Sequence, residues 1–562
     1  MKLLPYILQN WVRSLTLGAL SALVISTPVK AGEKIYFTYG PLSWSVSVDS
    51  LATFAKDGTI DKELEFYLSR ATPEQQTEFR KALRKRVDIN PVRLYRFFNT
   101  EIGEDILTRI GKGVTIQGGR NGKYGLRAAI VQAAFDSQEG LTLLNVLRKF
   151  PTNMQLQGEL ILGGAKTIGK FSKATKAYTE TMAKLSAQEA AAETPVNFAQ
   201  LPDLRRPGEL GFQKETFTLT DSSRAGRTFY VILYKPEKWR TGKTPVVVLS
   251  HGLASKPEDF EAFAKHLASY GFVVALPQHP GSDTKWAQDF LKGYHGEVFD
   301  SNEFINRPKD ISYLIDELER RNQSQFGGRL DLENVGVAGH SFGGYTALAV
   351  AGAEIEFDFL QQECERLYGG LNTSLLLQCR ALSLPRQTYK FRDPRVKAVL
   401  GGNPVNSAIF GQKGLEQIQI PLMFVSGNLD PATPGVFEQL RSFMWLTTPN
   451  KYLALAEGQA HVDFSKLDPG IASALESVTH YTLPSPDLLH SYRDAMFLAF
   501  FEVYIANNAQ FRPYLQSSYA AYLSQNERFK LFLISSDSEP GMKQAIEDFR
   551  AKEGPILPKK EL

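Results

Sequence analysis

The chain has 562 residues, 64 Lys and Arg against 60 Asp and Glu, a formal net charge of +4, and 43% hydrophobic and 22% charged residues. That length exceeds one ordinary core and predicts two or more domains. The near-balanced charge, with no basic-aromatic stripe, argues against a nucleic-acid partner.

The first stretch has a basic start (Lys2, Arg13) and an apolar run from Ser14 to Ser26, followed by Val29-Lys30-Ala31. This pattern predicts a signal peptide over 1–31, cleaved after Ala31. The apolar run is too short to span a bilayer, which needs roughly 20 residues. Export to a periplasm, a thylakoid lumen or the medium is expected. Residues 32–185 read as a mainly helical domain, opened by strand-like Lys34–Tyr39 and Trp44–Val48. Thr72-Pro73 predicts a capped helix running to Arg84. The basic residues Arg80, Lys81, Arg84, Lys85 and Arg86 read as a solvated helix face, with a peripheral contact to an anionic membrane or partner as the alternative. Residues 186–207 shift from Ala and Glu to Pro195, Pro202 and Pro207, the composition of a linker.

Beyond it, 208–534 alternates strands with helices. Glu215–Thr220 and Thr228–Tyr234 predict a hairpin. Val246–Ser250, Phe272–Leu276, Val335–Ala338, Val396–Leu400, Leu422–Ser426 and Tyr452–Leu455 predict strands buried on both faces. This order implies an α/β fold with a mainly parallel sheet, helices on both faces, and a site at the carboxyl ends of its strands. Residues 353–395 are long for an α/β connection and apolar, and read as a lid. They hold both cysteines, Cys364 and Cys379. In an exported protein such a pair predicts a disulfide; with no nearby histidine it cannot form a structural zinc site. Neither a metal nor a cofactor is expected. Residues 535–562 read as a polar tail.

Gly339-His340-Ser341-Phe342-Gly343 lies between a strand and a helix and has the G-x-S-x-G form of a nucleophile elbow. In this plan an acid and then a histidine follow the serine. Asp430 is the first carboxylate past the Leu422 strand, and His461 follows the Tyr452 strand. Glu457 is the alternative acid; His480 and His490 are weaker histidine candidates. The backbone N–H groups of Phe342 and Leu253 are the expected oxyanion donors. His340 reads as a packing neighbour pointing away from the nucleophile, and His279 as either a pocket residue or a turn.

Ser250-His251-Gly252-Leu253, the helix ending Ala268–Ala275, the elbow with Gly344, and Gly458–Phe464 together resemble the α/β-hydrolase superfamily, most of all its dienelactone hydrolase and platelet-activating-factor acetylhydrolase branch. The resemblance spans about Phe212 to Phe501. It implies the α/β-hydrolase fold, Ser341, Asp430 and His461 as a triad, and Leu253 and Phe342 as oxyanion donors. The dienelactone pattern usually carries cysteine where this chain has Ser341. Residues 33–185 are similar to an uncharacterised domain that precedes such hydrolases in exported cyanobacterial proteins. The expected activity is hydrolysis of a hydrophobic or lipid-like carboxylic ester. Amidase or peptidase activity, and a non-catalytic lipid- or partner-binding protein on the same scaffold, are the alternatives.

Overall fold

A computed structural model describes residues 32–366, 371–461 and 483–556. The candidate leader 1–31, Leu367 of the expected lid, Val462–Phe464, His480 and the last six residues lie outside them. Two units are distinguished: residues 1–95 with 107–161, and residues 96–106 with 162–562.

In the first unit, strands β1 (Lys34–Tyr39), β2 (Leu42–Ser47), β3 (Val114–Ile116) and β4 (Met154–Gln157) form a sheet in the order β2-β1-β4-β3. The hairpin β1–β2 is antiparallel and β1–β4 is parallel. Helices make up the rest. Thr72 caps the Pro73–Arg84 helix: its hydroxyl accepts from the N–H of Gln75, whose side chain accepts from the N–H of Thr72. Arg84, Lys85 and Arg86 are exposed, whereas Arg80 reaches back to the carbonyls of Ala55 and Lys56.

The second unit is built on β5 (Phe212–Asp221), β6 (Arg227–Pro236), β7 (Thr244–Ser250), β8 (Val273–Pro277), β9 (Leu330–His340), β10 (Val396–Gly402), β11 (Leu422–Gly427), β12 (Lys451–Ala456) and β13 (Leu531–Ser535). Their order is β13-β12-β11-β10-β9-β7-β8-β6-β5. The six central strands, β8 to β12 with β7, are parallel; β5, β6 and β13 are antiparallel at the edges. Because side chains alternate across a strand, β7 sends Val246 and Val248 into one core, and Val247 and Leu249 into the other. The first core packs under helices Glu303–Phe326 and Phe342–Ala351, the second under Glu261–Ser269 and Pro486–Tyr504. The strand order reverses at β7, which has β8 on one side and β9 on the other. The loops leaving β7 and β9 are therefore neighbours at the carboxyl edge, where such sheets hold their ligands.

Two stretches differ from the reading by composition, while a third, 353–395, carries the expected disulfide. Residues 186–207 are not a free linker. The Gly158–Ala192 helix runs through the Ala- and Glu-rich part, Leu185 and Ser186 are buried, and Glu189 accepts from Ser535 N and Ser517 Oγ, each at 3.0 Å. Alanine and glutamate are strong helix formers, so the shift in composition marked a helix end. Residues 535–562 are not a plain tail. β13 ends at Ser535 and pairs with β12, and the Glu539–Glu553 helix buries Met542. Residues 353–395 form helix Phe357–Glu365 and two short turns, Leu375–Gln378 and Cys379–Ser383, with Cys364 and Cys379 joined in a disulfide. Glu438, fully buried, stitches this segment down. Its carboxylate accepts from Asn372 Nδ2, Ser374 Oγ and Gln378 Nε2 (2.6 to 2.9 Å), and from the N–H groups of Asn406 and Ser407 (2.8 and 2.9 Å). Among the described residues no helix is long and apolar enough to cross a membrane.

Candidate active site

Ser341 follows β9 with φ 56° and ψ −118°, a conformation that costs a side-chain-bearing residue about 1–3 kcal/mol. The surrounding chain over-determines it. Its N–H donates to Gly402 O (3.0 Å), and its carbonyl accepts from Tyr345 and Val405 N–H (3.2 Å each). The flanking glycines are steric necessities: a Cβ at Gly339 would sit 2.0 Å from Gly343 O, and one at Gly343 2.0 Å from Ser250 O. The turn can form only if both positions lack a side chain.

Three strand ends converge here. Ser341 Oγ lies 2.8 Å from His461 Nε2, and His461 Nδ1 lies 2.7 Å from Asp430 Oδ2. Asp430, almost fully buried, also accepts from the N–H groups of Ala432 and Thr433 (2.8 and 2.9 Å) and from Thr433 Oγ1 (2.8 Å). Burial alone would raise this carboxyl. The His461 ring and the Thr433 hydrogen bonds outweigh it and hold Asp430 below the usual carboxylate range. The acid and histidine loops are tied together: Gly458 N–H donates to Asn428 Oδ1 (2.8 Å) and Leu429 N–H to Gln459 O (3.1 Å).

Phe342 N–H opens the elbow helix, and the loop after β7 passes beside it. A Cβ on Gly252 would lie 3.4 Å from Ser341 Cβ, so the His251–Leu253 backbone runs against the serine. Among the described residues, neither Leu253 N–H nor Phe342 N–H meets a protein acceptor, whereas the next amide, Ala254, donates to Ser282 O (2.8 Å).

The other candidates lie elsewhere. Glu457 turns to the sheet edge, where its carboxylate accepts from Lys530 N–H (3.0 Å). His490 lines a cavity of about 340 Å³ behind His461, walled by apolar side chains such as Phe263, Leu489, Met496 and Phe497. Ser341 is not among its walls, so the cavity is not assigned to the reacting group. His340 packs against the His461 ring at 4.7 Å. Loss of water pulls its pKa down to about 3, with the His461 charge adding, so it stays neutral beside the imidazole. Among the described residues no set of three or more His, Cys, Asp or Glu side chains could hold a metal ion.

His279 makes a second Ser–His–Asp chain. Its Nε2 is 2.9 Å from Ser250 Oγ and its Nδ1 3.0 Å from Asp310 Oδ2. All three are fully buried, and Asp310 is saturated by Arg224 and Arg227 at 2.7 Å. Burial, with the Arg307 charge, brings His279 down to about 4. This chain is a strut under the β7 loop and has no access to substrate. The sequence reading missed its partners Glu303, Arg307 and Asp310. Their spacing of four and then three residues puts them on one helical face, and the signal that this face is buried was the apolar run Ile311, Leu314, Ile315 and Leu318 continuing it.

Residues 31–157 match the profile of a family described as "Alpha/beta hydrolase of unknown function (DUF1400)", and residues 207–361 match the Chlorophyllase family. A platelet-activating factor acetylhydrolase from Cavia porcellus is 26% identical over 197 residues, covering 27% of this chain and 43% of that protein, so the match spans less than half the relative's length. A mainly parallel sheet that carries its G-x-S-x-G turn after β9, together with these matches over 31–157 and 207–361, supports assignment of the chain to the α/β-hydrolase superfamily.

Proposed function

We propose that the protein is a serine hydrolase of carboxylic esters, acting on a hydrophobic or lipid-like substrate. The observation that carries this reading is the unbroken hydrogen-bond chain from Ser341 Oγ through His461 to Asp430, mounted on a strained turn. In this mechanism Ser341 Oγ attacks the ester carbonyl while His461 Nε2 takes its proton. Asp430 holds the ring with Nδ1–H facing the carboxylate and stabilises the imidazolium. The N–H groups of Phe342 and Leu253 receive the charge that develops on the carbonyl oxygen. His461 then protonates the departing alcohol, and water, activated by the same ring, releases the acyl group. The ester class is supported by the names of the two matched groups, chlorophyllase and platelet-activating factor acetylhydrolase. The leader-like start and the disulfide support an exported site of action.

The test is hydrolysis of p-nitrophenyl esters of short and long acyl chains by the wild-type protein and by Ser341→Ala. The variant is expected to lose kcat by about 10⁴-fold or more. A fluorophosphonate should label the wild type and leave the variant unlabelled. Equal rates in the two proteins would reject the reading. A silent wild type that still takes the label would move the substrate from simple esters to amides.

A further inference from the structure

One guanidinium reaches both arms of the oxyanion hole. Arg307, on the Glu303–Phe326 helix, is fully buried. Its Nη1 donates to His251 O at 2.6 Å and its Nη2 to Gly252 O at 3.2 Å. These are the two carbonyls immediately before Leu253 N–H. The flat face of the same group lies over the Phe342 ring, with Cζ 4.3 Å from the ring centroid. Phe342 supplies the other donor.

The guanidinium is itself held in place. Nε donates to Ser282 Oγ (2.8 Å), and that hydroxyl donates to Glu303 Oε2 (2.9 Å). Glu303 Oε2 stands 3.9 Å from Arg307 Nε as countercharge. Burial pulls Arg307 down to about 10, against Glu303 and Asp310, so it remains charged at neutral pH. His251 completes the clamp. His279 N–H donates to its Nε2 (3.1 Å), which places the proton on Nδ1, and Nδ1–H donates to Gly252 O (2.8 Å). A lysine offers one point charge where this site uses a planar fork on two adjacent carbonyls and a face on an aromatic ring.

We propose that Arg307 is a positioning residue for the ester hydrolysis described above, fixing the Leu253 and Phe342 N–H groups relative to each other through the carbonyls of His251 and Gly252 and the Phe342 ring. The inference rests on that reading of Ser341. A peptide plane is rigid, so holding the 251 and 252 carbonyls fixes the plane that carries Leu253 N–H. Such donors count in the transition state far more than in the ground state, so losing their alignment should appear in kcat and not in KM.

The experiment uses the full chain with Arg307→Lys and, separately, Ser282→Ala, which removes the acceptor of Nε and leaves the guanidinium in place. Activity is expressed per site titrated with fluorophosphonate. Arg307→Lys is expected to lose kcat by about 10²-fold with KM within about twofold. Ser282→Ala should show a smaller loss of the same kind, on the order of tenfold. Affinity is also measured for a trifluoromethyl ketone. Ser341 Oγ adds to its carbonyl carbon, the carbonyl π electrons become the oxyanion, and the serine proton passes to His461. That affinity should fall in parallel with kcat, a relation that a purely structural arginine would not produce. If both variants that fold keep kcat per site and ketone affinity within about threefold of wild type, the proposal is overturned. If Arg307→Lys does not fold, Ser282→Ala decides alone. Undiminished hydrolysis by Ser341→Ala would instead overturn the reading of the site, so the two failures are distinct.

Discussion

Asp430 is the residue whose geometry and charge do most to define what His461 can do. Both of its oxygens are occupied by donors that require a carboxylate: Ala432 and Thr433 N–H on one, and Thr433 Oγ1 and the His461 ring on the other. Asp430→Asn keeps the shape but offers an NH₂ group to the ring or to the loop amides, which favours the wrong imidazole tautomer. We predict a loss in kcat of about 10⁴-fold with little change in KM, measured by steady-state ester hydrolysis near pH 8. A variant retaining a tenth of the wild-type rate would contradict the role. Despite its burial, the His461 ring and the Thr433 hydrogen bonds hold Asp430 below the usual carboxylate range, which favours the carboxylate form that this role needs. Gly339 was legible from sequence because its constraint is local, a Cβ there meeting the Gly343 carbonyl of the same turn, whereas the constraint on Gly343 comes from the Ser250 carbonyl at the end of β7 and exists only in the packed fold. Asp430 and His461 were legible because each follows a strand that reads clearly from its own apolar run.

At the scale of elements, the segment 353–395 shows what an apolar, cysteine-bearing insertion becomes once packed. Leu360, Leu375 and Ala381 join the core, and Glu438 and Gln378 tie the segment to the start of the helix at Ser407. The disulfide closes a 15-residue separation on top of this network. Its loss should release about 3 kcal/mol of loop-closure stabilisation while the hydrogen bonds to Glu438 keep the segment seated. The double variant Cys364→Ala/Cys379→Ala is therefore expected to unfold at lower urea and to keep its kcat at 25 °C. Paired urea unfolding and esterase assays check both halves, and an inactive but folded variant would show that the bridge shapes the site. Nothing in the segment's sequence announced Glu438 as its anchor, because that carboxylate comes from a different loop, 60 residues past Gln378 and 66 past Asn372.

Across the molecule, buried histidines set the response to acid. Burial and the Arg307 charge hold His251 well below its usual value, bring His279 to about 4, and loss of water takes His340 to about 3, against about 6.5 in the unfolded chain. Between those limits the unfolded chain binds more protons than the folded one. This part of the stability is complete above pH 6.5 and is lost as the pH falls toward 4. Glu303 works the other way: burial raises it to about 7, so the folded state gains one proton in the same range. His266 is also lowered by burial and Glu297 also raised by it, so four histidines against two carboxyls leave a net acid lability. Urea midpoints taken at pH 7.5, 6.0 and 4.5 are expected to fall steadily, the unfolding free energy dropping by a few kcal/mol between pH 6.5 and 4.5. A midpoint that stays level over that range would show that these rings do not sit neutral in the folded protein.

The sequence alone determined the features whose physics is short-ranged. The β-branched runs could only be buried strands, the alternation with helices required a mainly parallel sheet, and the two glycines around Ser341 announced a turn that tolerates nothing larger. The order of Ser341, Asp430 and His461 followed from where those strands end. The tertiary structure decided what depends on which charges the sheet buries. Nothing in the sequence set Glu303, Arg307 and Asp310 apart; only the packed topology, with the strand order reversing at β7, brings Arg307 to the His251 and Gly252 carbonyls. Residues 186–207 and 535–562 read as linker and tail until Glu189 found its serine partners and β13 paired with β12. A charge carries no local sign of burial, because its partners come from distant segments and only the packed topology supplies them.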